Sequence, residues 1–295
     1  MDRQGEKQSA VFIRISLSLI LYIILSLLLS LAAGLIRCEG AAKILVSAAV
    51  YAVSISAAIF AAAPKGLKIK LIKKPASFSF IKALALFFAV SLAALLLSLA
   101  VSKLLALIGV APASSSFAFD GPLELFVIFI KYVILSSFLE EILFRGVFIS
   151  CLRPYGDGFA LIVSSLLFAF SHTSLASLPS AFLYGLFFGY LYLKTGSLIP
   201  SVIFHFLNNA VAFLSQYLAT VNASAYSAFA VILYSVCALS AILTVFFLLR
   251  RKSRAFLNLL TDRKLSPLGF FGNFAAAAWV ALSLLLILRN TETLI

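Results

Sequence analysis

The sequence predicts an all-α protein, a polytopic transmembrane helical bundle of about eight or nine spans, on three observations. Hydrophobic residues make up 63% of the 295 residues and charged residues only 11%, whereas a soluble domain carries roughly 25% charged and ~45–50% apolar residues. The apolar residues gather into runs long enough to cross a bilayer, which takes about 20 residues as helix. The basic residues fall between those runs, mostly at one end. No soluble core needs so much apolar surface, so the excess must face lipid, where helices satisfy their own backbone groups.

Spans are expected near 11–36, 43–63, 81–110, 123–150, 158–172, 178–193, 197–218, 225–249 and 268–288. The fifth and sixth are short, which suits tilted helices or helices inside the bundle. Arg3, Lys7 and Arg14 precede the first span. The run from Leu17 to Ile36 exceeds the ~7–15-residue core of a signal peptide, and Arg37 directly before Cys38 is wrong for a lipoprotein site, so the segment reads as a retained span. The 29 phenylalanines fit lipid-facing and packing surface. Cys38, Cys151 and Cys237 are far apart and form no C-x-x-C, so neither a disulfide framework nor a metal knuckle is indicated.

A net charge of +13 raises nucleic acid as a partner in a soluble protein. Here topology accounts for it, and no nucleic acid is needed. With a cytoplasmic N-terminus, the second loop (Lys65, Lys68, Lys70, Lys73, Lys74) and the loop after the eighth span (Arg250 to Lys264) fall inside, joined by Arg145, Arg153 and Lys194. With Arg3, Lys7 and Arg14 before the first span and Lys82 at the start of the third, 18 of the 23 basic residues lie in or near the cytoplasmic side, and Arg37, Lys43, Lys103, Lys131 and Arg289 are the five elsewhere, as the positive-inside rule requires. The alternation of Lys with Leu and Ile from Lys65 to Lys74 also fits a segment lying on anionic lipid; a plain topology signal is the simpler reading. No repeat or separate soluble domain is visible, so 1–295 reads as one transmembrane domain.

Ionisable residues inside spans are costly and mark functional candidates. The fourth span carries Glu140 and Glu141, five and four residues before Arg145. Glu141 and Arg145 are i,i+4 and share a face, as a stabilising pair would. Glu140 sits about 100° round the helix, a free carboxylate aimed at a cavity and suited to acid–base work; a purely structural ion cluster is the alternative. The only two histidines, His172 and His205, fall in or at the ends of apolar helical segments, and Asn209 shares a face with His205. Single membrane histidines usually just pack. Two of them with Glu140 and Asn209 supply acid–base groups, amide dipoles and metal-ligand types where lipid should forbid them. There is no H-E-x-x-H, no G-x-S-x-G, and Asp157 has no intramembrane aspartate partner.

The order Glu140-Glu141-x-x-x-Arg145, Phe168-x-x-x-His172 and His205-x-x-x-Asn209 resembles the CPBP (CAAX protease and bacteriocin-processing, or Abi) family of membrane endopeptidases, related to the type II CAAX prenyl endopeptidases. Phe182, Gly185, Gly189 and Thr195 to Pro200 add to the likeness, which covers a core of about 123–212. The resemblance implies that Glu140 and His172 hold and activate a water, while His205 and Asn209 polarise the scissile carbonyl and stabilise the oxyanion. It leaves two mechanisms open: a bare glutamate-activated water, or a divalent metal such as zinc held by Glu140, His172, His205 and Asn209. The implied partners are the lipid bilayer and a membrane-bound or lipidated peptide or protein substrate, and the short chain leans towards a prokaryotic cell membrane. Two other classes fit the residues: a non-catalytic scaffold or immunity protein that keeps the motif, and an ion-coupled transporter, although the inverted repeats common in transporters are not visible.

Overall fold

The computed structural model describes residues 3–69, 71, 78–112, 119–251 and 255–293. Lys70, Lys73, Lys74, Lys252 and Arg254, part of the topology argument, lie outside the described residues.

Seven helices are long and apolar enough to cross a membrane. In chain order these are α1 (Arg3–Gly34), α2 (Gly40–Ala62), α3 (Phe80–Leu107), α4 (Pro122–Tyr155), α6 (Leu178–Thr195), α7 (Ile199–Val221) and α8 (Ala223–Arg251). Two shorter apolar helices, α5 (Asp157–Phe170) and α11 (Phe274–Arg289), complete the nine expected segments. The last expected span, 268–288, is broken: a single turn α10 (Leu268–Phe271) precedes Asn273, whose side chain caps α11 by accepting from the Ala276 amide at 2.9 Å. Two small features had no signal in hydropathy. One is a short helix α9 (Ala255–Thr261); the other is an antiparallel ribbon pairing β1 (Val110–Pro112) with β2 (Thr291–Thr293).

Local chemistry sets most helix ends. Pro122 stands at the first turn of α4, where its missing N–H costs nothing. Gly196, at φ +64°, ends α6 in the left-handed conformation, its amide bonding to Tyr192 O at 2.8 Å. Gly156, at φ +110°, turns the chain from α4 into α5 so closely that a Cβ there would sit 2.5 Å from the carbonyl oxygen of Asp262.

The core forms around α5. Its 14 residues span about 21 Å, short of the ~30 Å hydrocarbon layer, and most are buried, Phe159, Val163 and Leu167 fully. A helix apolar all round belongs inside a bundle. α6 packs closely on α5 because Gly185 has no side chain: a Cβ would meet Ser165 Cα at 3.0 Å. α1, α4 and α11 contribute Phe12, Ile15, Phe148 and Trp279 to the same core. The outer helices keep apolar faces outward, with Ile242 and Leu249 of α8 exposed, as lipid-facing surface should be.

Candidate active site

α4 is not a regular α-helix. Segments Ile130–Leu135 and Ile142–Ile149 are π-helical and bracket one α-helical stretch, Ser136–Glu141, that carries both glutamates. π segments are rare and concentrate at functional sites. In the first of them the Ser136 amide bonds back five residues to Lys131 O instead of four to Tyr132 O. Tyr132 O instead accepts from Asn209 Nδ2 of α7 at 3.0 Å.

Glu141 and Arg145 form the expected pair, Nη1 to Oε1 at 2.8 Å, both side chains fully buried. The same Oε1 accepts from His205 Nδ1 at 2.9 Å. Arg145 Nη2 donates to Gly185 O at 3.1 Å, and its guanidinium lies over the Phe168 ring at 4.5 Å and the Phe188 ring at 5.4 Å. Such stacking suits the weakly hydrated, planar guanidinium. Glu141 is therefore a hub that fixes an imidazole as well as a partner for Arg145. Because an ionised carboxylate only accepts, the hydrogen bond places the His205 proton on Nδ1 and leaves a lone pair on Nε2.

That Nε2 faces Glu140, 3.8 Å from Oε2. Oε1 of Glu140 accepts from Tyr51 of α2 at 2.8 Å and from Ser136 at 2.9 Å. One oxygen is thus saturated by hydroxyls while the other is turned to the imidazole. The Glu140 side chain is 17% exposed, against 0% for Glu141, so it borders open space as expected of the freer carboxylate. His205 stands six residues into α7, about 9 Å from its start, which places this cluster inside the bundle.

The other two candidates are held indirectly. His172 lies just beyond α5, and its Nδ1 bonds to Phe168 O at 2.8 Å; a carbonyl only accepts, so its Nε2 is also the free lone pair. The Phe168 ring touches both imidazoles, with centroids 4.6 Å from His172 and 5.7 Å from His205. Asn209 uses its two amide hydrogens on Tyr132 O and on Ser137 Oγ (3.2 Å), and its Oδ1 accepts from Asn208. As placed, Asn209 staples α7 to the first π segment, and neither hydrogen points to an open position. Four site residues had been passed over: Tyr51, Ser136, Ser137 and Tyr132. Ser136 stands four before Glu140 and Ser137 four before Glu141, a spacing visible in the sequence. Nothing in the sequence links Tyr51 to Glu140.

Among the described residues, no three His, Cys, Asp or Glu side chains group as metal ligands would. Glu140 and His205 could flank an ion, and Glu141 behind His205 resembles the outer partner of a metal-bound imidazole. A zinc site needs at least a third protein ligand, and among the described residues no third His, Cys, Asp or Glu side chain is grouped with these two, so no step is derived through a metal.

A polar carboxylate–imidazole cluster therefore lies inside a multi-pass helical bundle. Residues 122–211 match the family described as Type II CAAX prenyl endopeptidase Rce1-like, a likeness that covers this segment of the 295 residues. The match holds both glutamates, Arg145, both histidines and Asn209, and leaves α1 to α3 and everything from α8 onward outside. No curated protein and no solved structure matches the chain. The segment is thus similar to membrane endopeptidases, and the long apolar helices make the chain a multi-pass membrane protein.

Proposed function

We propose that the chain cleaves a membrane-bound or lipidated peptide or protein by a water that Glu140 activates. The observation that carries the reading is the facing pair of acceptors, Glu140 Oε2 and His205 Nε2, 3.8 Å apart. A water can donate one hydrogen to each and keep a lone pair for the scissile carbonyl. As the new C–O bond forms, the water's proton passes to Glu140 and the carbonyl oxygen takes the negative charge. Collapse breaks the C–N bond, and Glu140 returns the proton to the leaving amine. Acid–base catalysis of this kind contributes about 10²–10⁴ in rate. His172 Nε2 is a further lone pair beside the Phe168 ring, which His205 also touches. For Asn209 to donate to the oxyanion, it has to release Tyr132 O or Ser137 Oγ. The bundle is oriented with its N-terminus cytoplasmic, on the strength of the basic loops, in a prokaryotic cell membrane.

The test is turnover of a pool of membrane-anchored peptides by the purified protein in detergent. The wild type should cleave, Glu140→Ala should not, and a strong chelator should change nothing. Full activity in Glu140→Ala refutes the reading and favours a scaffold. Reversible silencing by the chelator replaces the bare water with a metal.

A further inference from the structure

Hydrolysis consumes a water per bond, yet Glu140 lies among helices whose outer faces are apolar. A polar stripe along α2 connects it to one end of the bundle. Lys43, Ser47 and Tyr51 follow at i, i+4 and i+8 and share a face. Tyr51 donates to Glu140. One turn away, Ser47 Oγ accepts from Lys131 Nζ of α4 at 2.7 Å. Facing them, α4 carries Lys131, Ser136 and Glu140 in the same order. Beyond this ladder a cavity of about 740 Å³ opens between α1 and α2, walled by Arg37, Glu39, Lys43 and Ser47 and reaching Val50, the residue before Tyr51.

Acyl chains cannot fill such a space cheaply, since a charged side chain in hydrocarbon costs about 2.5–3.5 kcal/mol or more. Water can, at roughly 30 Å³ per molecule. Three of the five basic residues expected at this end, Arg37, Lys43 and Lys131, stand at the cavity or on the stripe. Fixed cations oppose protons and metal ions while passing neutral water.

We propose that the α1–α2 cavity and the Lys43–Ser47–Tyr51 stripe form the route by which water reaches Glu140 from the end of the bundle opposite the basic loops. The inference rests on Glu140 being the base that activates water, but its first test needs no activity. In a C38S/C151S/C237S background, Ser47→Cys, Val50→Cys and Leu45→Cys are exposed in detergent to a small charged methanethiosulfonate, which needs a hydrated thiolate. Leu45 lies on the opposite, exposed face of α2. Ser47→Cys and Val50→Cys should be modified and Leu45→Cys should not. Failure to modify the first two, or equal modification of all three, overturns the route. The second test is Val50→Trp, a plug below the cavity. It should lower kcat about tenfold with KM unchanged, the signature of a step after binding. Unchanged kcat in folded Val50→Trp overturns the route even if the cavity is wet. An inactive wild type with the labelling pattern intact would instead count against the peptidase reading alone.

Discussion

Replacing Glu141 by Gln separates the structural role of the Glu141–Arg145–His205 cluster from the chemistry at Glu140. Gln keeps the shape and an acceptor oxygen, so both hydrogen bonds to Oε1 can persist; what disappears is the charge. Arg145 is fully buried, and Glu141 is its ion-pair partner in the structure. Leaving a buried charge unpaired costs about 3–5 kcal/mol, roughly two to four orders of magnitude in the folding equilibrium. That is a large share of a typical stability of about 5–15 kcal/mol. The other oxygen of Glu141 has no hydrogen-bond partner, and an NH₂ in its place becomes a buried unpaired donor, which adds to the loss. The assay is thermal unfolding of the purified variant in detergent, with the yield of monodisperse protein beside it. Glu141→Leu combined with Arg145→Met removes both charges and keeps apolar volume. It should be more stable than Glu141→Gln, since apolar replacement of a buried pair is often neutral or better. Its activity should stay low, because His205 has lost the acceptor that fixes its proton on Nδ1. Wild-type stability in Glu141→Gln, or a double variant no more stable than the single, would refute the reasoning.

Tyr51→Phe and Ser136→Ala each remove one hydroxyl from Glu140 Oε1; with about 1.5–3 kcal/mol per hydrogen bond to a charged group, each should lower kcat by about 10- to 100-fold while KM holds, checked by steady-state kinetics on folded protein. Asn209→Asp replaces the donor to Tyr132 O with an acceptor, so it should be less thermally stable than Asn209→Ala, and the reverse order would show that the staple to the π segment is not what Asn209 provides. A reporter fused after Lys264 should read cytoplasmic and one after Gly121 outside, and the opposite pattern would invert the proposed orientation.

The helix inventory was legible because lipid imposes it: seven of the nine segments are long and apolar enough to cross, as a span of about 20 residues must be, and α5 and α11 stand out as shorter apolar runs. The Glu141–Arg145 pair was legible because i,i+4 neighbours meet on any helix. Gly185 and Gly189 could be flagged as a close-packing pair, but not that Gly185 O would receive Arg145. The π segments of α4 carry no sequence mark before Gly146, and they put Tyr132 O within reach of Asn209. Reading α4 as a regular helix left that carbonyl out and gave Asn209 a free amide. Tyr51 is 89 residues from Glu140, and the spacing of Lys43, Ser47 and Tyr51 along α2 does not say which helix that face meets. Local spacing determines which residues share a face of their own helix. Which oxygen of Glu140 is saturated, which nitrogen of His205 is free, and which end of the bundle opens towards them depend on how α2, α4 and α7 pack, and only the tertiary structure decides that.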